Sequence, residues 1–316
     1  MEKFNFIVDK NGLESRVDIY LKEKVERFSR NQIQRWIKLG GVLCNGNKIT
    51  PSTKLKEGDN ISLSIPEEDI HLVPENIALD ILYEDKSILI LNKPAGIVTH
   101  PGAGNKNGTL ANAVAHHLLG IRDSALFART NRALSLIPTE GSLRLGIVHR
   151  LDKETSGVMV VAKNSIALTR LTESFKERSV KKVYRAIVCG SLELAKGEIE
   201  GSIGRAFRST RMEIAPSGKY ARTDFKVLKR FSQHSYLEAY PKTGRTHQIR
   251  LHLAKIGYPI LGDKTYGLEP IAAPRQMLHA YSITFPHPSN KKLVTFTAPL
   301  PKDFKDILKS LESKEI

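Results

Sequence analysis

Apolar residues recur along this chain with two different periods. Ile33, Trp36 and Ile37 stand at i, i+3 and i+4 and predict a short amphipathic helix, opened by Ser29 as N-cap and closed at Gly40. At about 100° per residue, Arg30 and Lys38 fall on the face away from this stripe and Arg35 at its margin. GVLCNGNKI follows, with Asn45 and Gly46 marking a hairpin turn between two strand-like segments. Beyond a linker, PEEDIHLVPEN, the apolar runs SILILN, GVMVVA, VYRAIV and SYLEAY read as strands. They alternate irregularly with the helical patterns TLANAVAHHLL, SIALTRLTESFK, THQIRLHLAKI and DFKDILKSLE. That order predicts an α+β protein whose larger part is built on a mixed, mainly antiparallel sheet rather than on βαβ repeats. The linker sets a boundary near residue 72, giving an N-terminal module over 1–72, with its core at about 14–66, and a second domain over 73–316. Residues 121–144 have weak periodicity and read as an insertion or loop.

Charge changes this picture more than composition does. The 316 residues are 41% hydrophobic and 26% charged, ordinary for a globular chain, but their net charge of +16 points to a polyanionic partner. The excess is uneven. Residues 1–70 carry 12 Lys+Arg and 11 Asp+Glu, yet Arg27, Arg30, Arg35, Lys38, Lys48, Lys54 and Lys56 lie in a stretch, 27–56, that contains no acid. Residues 170–260 carry 19 basic and 8 acidic residues, and Arg205, Arg208, Arg211, Lys219 and Arg222 lie there in a stretch that reads as loop-rich, with one acid, Glu213. Both clusters are candidate phosphate contacts.

Several chemistries find no foothold. Cys44 and Cys189 fit neither a disulfide framework nor a cysteine metal site, and a reducing compartment is expected. The N-terminus has no signal-peptide pattern and no run suits a membrane helix, so the expected location is the cytoplasm. HPGAGNKNGT spaces its glycines as GxGxxxG, unlike a dinucleotide or ATP loop. His247 and His252 are five apart, no HExxH pair occurs, and no metal is expected. GxSxG is absent as well.

Two resemblances organise what remains. SRNQIQRWIKLGGVLCNGNKIT followed by LKEGDNISLSIP resembles the RNA-binding module shared by a small-subunit ribosomal protein and many RNA-modifying enzymes. That likeness implies that two helices and a small sheet grip structured RNA through the basic helix, so Arg30, Arg35 and Lys38 on it and Arg27 just before it are the candidate contacts. HRLDKETSG at 149–157 resembles the HRLDxxTSG signature of the RNA pseudouridine synthases. The match continues through ILILNKPAGIVTHPGAGN at 88–105, KKVYRAIVCG at 181–190 and TGRTHQIRLHLA at 243–254, and is nearest to the branch that modifies 23S rRNA.

The second resemblance implies roles for three residues. Asp152 corresponds to the nucleophile, Tyr184 to the tyrosine that lies against the target base and serves in proton abstraction, and Arg250 to the basic partner of the catalytic carboxylate. His149 and Arg150, beside the nucleophile, would fill the space vacated by the uridine or hold phosphates. The reaction breaks the N1–C1′ bond, turns the base and joins C5 to C1′ without net redox or transfer to another molecule, so no cofactor is implied. Attack at C1′ and removal of a ribose proton are both open to such a carboxylate. Desolvation disfavours any ionised carboxylate in a closed pocket, so a neighbouring guanidinium is a natural counterweight. The implied partner is large-subunit rRNA, free or in an assembling subunit. The alternatives are a silent rRNA-binding or assembly protein on the same scaffold, a synthase acting on tRNA, and an N-glycosidase that stops after bond cleavage.

Overall fold

In the computed structural model, which describes residues 2–25, 28, 30–65, 72–102, 104–105, 107–120, 145–206, 209, 211–267 and 273–313, the apolar stripe Ile33, Trp36, Ile37 is buried on helix α2, Arg30–Lys38. Ser29, Arg27, Arg208 and the 121–144 segment lie outside the described residues. The chain divides into two compact units, one over Met1–Leu72 and one from Val73 onward.

In the first unit, α2 and helix α1, Val17–Lys24, pack on a four-stranded antiparallel sheet. Its strands β1 (Glu2–Ile7), β2 (Val42–Cys44), β3 (Asn47–Lys48) and β4 (Asn60–Ile65) run in the order β1-β4-β2-β3. The hairpin turn forms where Asn45 and Gly46 both take positive φ, +50° and +79°, as a two-residue turn matched to strand twist requires. Asn45 also fixes β4, its side chain accepting from Asn60 N–H and donating to Asp59, each at 2.8 Å. Trp36 meets Phe28 edge-on at 4.8 Å.

The acid-free run between 27 and 56 is not a uniform free face. Asp18 on α1 is fully buried and accepts from Arg30 at 2.9 Å, from Arg16 at 3.1 Å and from Gln34. Burial opposes its charge, but Arg16, Gln34 and Arg30 together hold its carboxyl below the usual range. Arg30 therefore ties α2 to α1, while Arg35 and Lys38 are exposed. The sequence pattern within α2 could not show this, because the acid comes from the other helix.

The second unit is built on a ten-stranded sheet. Its strands are β5 (Ile81–Glu84), β6 (Ile88–Lys93), β7 (Ser156–Ala162), β8 (Lys181–Cys189), β9 (Lys196–Arg205), β10 (Met212–Ile214), β11 (Lys219–Arg230), β12 (His234–Pro241), β13 (Leu278–Pro286) and β14 (Leu293–Thr297). The order is β10-β9-β11-β12-β8-β13-β7-β6-β5, with β14 on β13. Among the described strands only β7 and β13 pair in parallel, so the sheet is mixed and mainly antiparallel. Every residue of β7 is buried, which explains why it reads as a continuous apolar run rather than an alternating one. Helix α3, Leu110–Leu119, begins in a reciprocal cap between Thr109 and Asn112. Helix α4, Ser165–Lys176, follows β7; helix α5, Gln248–Lys255, follows β12; helix α6, Lys302–Ser313, comes last. Ile249 and Leu253 of α5 join Phe304 of α6 in the core beneath β8 and β12.

One expectation about the basic stretch is overturned. Residues 196–230 are largely strand, and pairing of β9 with β11 sets Arg222 opposite Glu200. Arg222 is ringed by Glu198 at 2.5 Å, Asp224 at 3.1 Å and Glu200 at 3.8 Å, so these carboxylates, not phosphates, satisfy it. Arg205 and Arg211 are exposed on β9 and next to β10.

Candidate active site

The turn carrying Asp152 is held by main-chain and side-chain bonds from two other segments. Gly96 N–H donates to Lys153 C=O at 2.8 Å, Thr99 Oγ1 to Leu151 C=O at 3.0 Å, and Arg275 Nη1 to Glu154 C=O at 3.0 Å. Gln276 Nε2 bonds Thr155 Oγ1 at 2.6 Å. Arg275 in turn grips Asp303 at the start of α6 through Nε at 2.6 Å and Nη2 at 3.1 Å. Gly157 lets β7 enter the sheet directly after the turn, because a Cβ there would sit 2.2 Å from Ala280 C=O. The final glycine of HRLDKETSG thus answers a backbone approach.

Lys93 completes the support. It is fully buried at the end of β6, and Nζ donates to Pro94 C=O at 2.7 Å and to Lys153 C=O at 3.1 Å. Burial lowers its pKa to about 7, against the opposing charges of Glu154 and Asp152. A neutral amine carries two protons, matching these two carbonyls. Because the folded chain releases this proton near pH 7 and the unfolded chain only near 10.5, the unfolded state binds more protons between those values, and stability rises with pH across that window. Lys93→Met should flatten a rise of about 2 kcal/mol between pH 6 and 9, read from urea midpoints. An unchanged pH slope in the variant would refute it.

Arg250 is buried on the first turn of α5 and joins two carboxylates. Its Nε and Nη2 form a fork to Asp263 at 2.6 and 2.8 Å, and its Nη1 reaches Asp152 Oδ2 at 3.1 Å. Burial of Asp263 opposes its ionisation; the Arg250 guanidinium and the N–H groups of Thr265 and Tyr266 outweigh that and hold its carboxyl below the usual range. Asp263 fixes the guanidinium, and the remaining N–H is presented to Asp152. The Tyr266 ring lies 5.1 Å from the same guanidinium.

Tyr184 stands on β8 between Ala239 of β12 and Ala280 of β13, and it lines the same cleft as Asp152 and Arg250. Burial, with the Asp152 charge adding to it, raises its hydroxyl well above the usual phenol range. The resting side chain is a phenol, so it can take a proton only as its own is handed on. Tyr184→Phe keeps the ring, and RNA affinity should stay within about threefold while single-turnover modification falls at least about 100-fold. Normal turnover in the Phe variant would reduce this residue to a stacking platform.

The flanking residues divide. His149 Nε2 accepts the Val160 N–H at 3.0 Å, and the ring stacks on Phe175 at 4.9 Å. Burial, then Lys182 and His100, push its pKa down to about 3, so it is a neutral ring and not a cationic phosphate holder. Arg150 is exposed at the cleft. The cleft is about 610 Å³, and Asp152 is the one carboxylate among its described lining residues, facing Arg150, Lys176, Arg178, Lys182, Lys242 and Arg245.

The sequence pattern assigns no role to Lys93, Arg275, Asp263 and Tyr266, and it weighs His247 only as a metal ligand. Lys93 had a signal, a lone lysine ending the apolar run ILILNK. Asp263 and Tyr266 lie in LGDKTYG, a polar turn framed by glycines directly after apolar residues.

Two helices on a small antiparallel sheet in the first unit, and a carboxylate set in a cationic cleft on a mixed sheet in the second, agree with the two resemblances. Comparison with known proteins supports both. Residues 87–255 match the family model described as RNA pseudouridylate synthase, and residues 15–61 match the S4 domain. A relative from Neisseria meningitidis, ribosomal large subunit pseudouridine synthase D, is 40% identical over 94% of this chain and 78% of its own length. Another of the same name from Xylella fastidiosa is 41% identical over 94% of this chain and 88% of its own. The solved human RNA pseudouridylate synthase domain containing 1 superposes with a TM-score of 0.55 at 26% identity, covering 76% of this chain and 96% of that one. The chain belongs to the RNA pseudouridylate synthase family, and it carries an N-terminal S4 domain.

Proposed function

We propose that this protein converts specific uridines of large-subunit rRNA to pseudouridine, with Asp152 as the nucleophile, Arg250 as its charge partner and Tyr184 against the target base. The observation that carries the chemistry is the shared guanidinium. Arg250 spans Asp263 and Asp152, so the Asp152 carboxyl has a hydrogen-bonded guanidinium partner in a cleft whose other charged lining residues are Lys and Arg. A carboxylate in that setting attacks the ribose while the surrounding Lys and Arg side chains receive the phosphates. The Asp152 oxygen bonds to C1′ as the N1–C1′ bond breaks, the freed uracil turns within the cleft, C5 bonds to C1′ and displaces the carboxylate, and the proton lost from C5 balances the one gained at N1.

The substrate assignment rests on the names of the full-length relatives and on the S4 domain. The proposed substrate is the large-subunit rRNA itself, met in the cytoplasm free or in an assembling subunit. Among the described residues no helix is long and apolar enough to cross a membrane. Exposed Arg35 and Lys38 of the S4 domain and Arg205 and Arg211 of the larger unit are the proposed phosphate contacts. Pseudouridine mapping of total RNA with and without this gene tests the assignment. Loss of discrete large-subunit signals, restored by the wild-type gene, is expected. Loss confined to tRNA would overturn the substrate, and no loss at all would overturn the function.

A further inference from the structure

His247 occupies the residue before α5 with φ +55°, a left-handed conformation that costs a non-glycine residue about 1–2 kcal/mol. Such strain beside a catalytic carboxylate calls for a purpose. Its imidazole is held at one nitrogen. Nδ1 lies 2.9 Å from the Tyr266 hydroxyl, and Nε2 lies 3.9 Å from Asp152 Oδ2, beyond hydrogen-bond reach.

The Tyr266 hydroxyl decides the tautomer. It accepts from Met212 N–H at 3.1 Å and donates to Met212 C=O at 3.2 Å, closing the outer edge of β10. A phenol has one proton. Assigning that proton to the Met212 carbonyl leaves the imidazole to present an N–H to the phenol oxygen, with its ring proton on Nδ1. Nε2 is left as a bare acceptor. Burial, only partly offset by the Asp152 charge, disfavours the imidazolium and keeps the ring neutral at pH 7.

What faces Nε2 follows from what faces Asp152. A carboxylate oxygen poised to attack C1′ is surrounded by ribose, and an acceptor less than 4 Å from that oxygen meets the sugar rather than the far edge of the base. In an internal nucleotide the 3′ and 5′ oxygens are tied up in phosphodiesters. The 2′-hydroxyl, on the carbon next to C1′, is the one O–H donor left.

We propose that His247 is a specificity-determining residue that accepts a hydrogen bond from the 2′-hydroxyl of the target ribose through Nε2, in a tautomer enforced by Tyr266. The proposal rests on Asp152 acting at C1′. It makes the active site itself, and not only the RNA-binding surfaces, the place where a ribonucleotide is told from a deoxyribonucleotide.

The test uses the full chain and an rRNA fragment synthesised with either uridine or 2′-deoxyuridine at the single target position. Because the two sugars differ in intrinsic reactivity, the readout is how the ribo-to-deoxy ratio of kcat/KM changes between proteins. His247→Asn tolerates the left-handed backbone but has no atom at the Nε2 position, and the ratio should fall about tenfold. His247→Gln, whose amide oxygen reaches that region, should regain part of it. Tyr266→Phe unlocks the tautomer and should lower the ratio about threefold. An unchanged ratio in a His247→Asn protein that still modifies the ribo fragment overturns the proposal.

A wild-type experiment covers the case in which the variants do not fold. A 2′-fluoro target is close to the hydroxyl in size but cannot donate, and because fluorine also slows reaction at C1′ the readout is affinity, which should be about fivefold lower than for the uridine fragment. Equal affinities would overturn the proposal without any variant. Failure of wild type to make pseudouridine on the ribo fragment would instead remove the functional reading beneath it.

Discussion

Asp152→Asn should bind large-subunit rRNA fragments with wild-type affinity and form no detectable pseudouridine. The amide has nearly the shape of the carboxylate, and its oxygen can still accept from Arg250 Nη1, 3.1 Å away in the wild type, so the turn and its supports persist. What disappears is the negative charge and with it the proposed nucleophile. Arg250→Lys keeps a positive charge but loses the fork that Asp263 orients, and its turnover should fall at least about 100-fold. Combining Asp152→Asn with Arg250→Lys should be scarcely worse than Asp152→Asn alone, since both disable one step. Substantial turnover by Asp152→Asn would refute the assigned chemistry, and multiplicative losses would show that Arg250 serves the RNA instead.

Arg250→Ala should be damaging in a second way, through the fold. Asp263 is 3% exposed, and its ionised carboxyl is compensated chiefly by this guanidinium. Removing one partner of a buried pair leaves the other uncompensated, and a loss of about 3–5 kcal/mol is expected. The Thr265 and Tyr266 N–H bonds to Asp263 favour the lower end of that range. Truncating Asp263 as well should restore part of the stability and none of the activity, because the double variant has no stranded carboxylate but still lacks the partner of Asp152. Urea unfolding of the wild type, both single variants and the double variant measures this. A loss below about 1 kcal/mol in Arg250→Ala would mean that Asp263 is held by its backbone donors alone.

These two predictions show where sequence reasoning reached and where it stopped. Periodicity found α2 and α5, and uninterrupted apolar runs found β6 and β7, because one dominant force, burial of apolar surface, writes those patterns locally. The hairpin at Asn45 and Gly46 was equally legible, since positive φ restricts residue choice at the turn itself. Asp152, Tyr184 and Arg250 were marked by four ordered sequence blocks, and folding brings them to one cleft.

The missed features all depend on partners far along the chain. Arg222 looked like a free cation because Glu198 and Glu200 become its neighbours only when β9 pairs with β11. Arg30 looked like part of an open basic face until Asp18 of α1 was set beside it. His149 looked like a cation beside the nucleophile, yet the backbone of β7 supplies the N–H that makes its Nε2 an acceptor. Asp263 comes thirteen residues after Arg250, and nothing in local spacing says that the guanidinium divides itself between two carboxylates.

The central claim is that this cleft isomerises uridine within RNA, breaking and remaking one glycosidic connection without releasing the base. The most direct test incubates the purified full chain with a large-subunit rRNA transcript and follows two quantities together, pseudouridine by carbodiimide-dependent reverse-transcription stops and free uracil by chromatography. Wild type should produce stops at a few discrete uridines, with no free uracil at any time, and Asp152→Asn should produce neither. Free uracil in amounts matching the modified sites would make the protein an N-glycosidase, and a wild-type protein that binds the transcript without stops or uracil would make it a non-catalytic RNA-binding protein; either result contradicts the account.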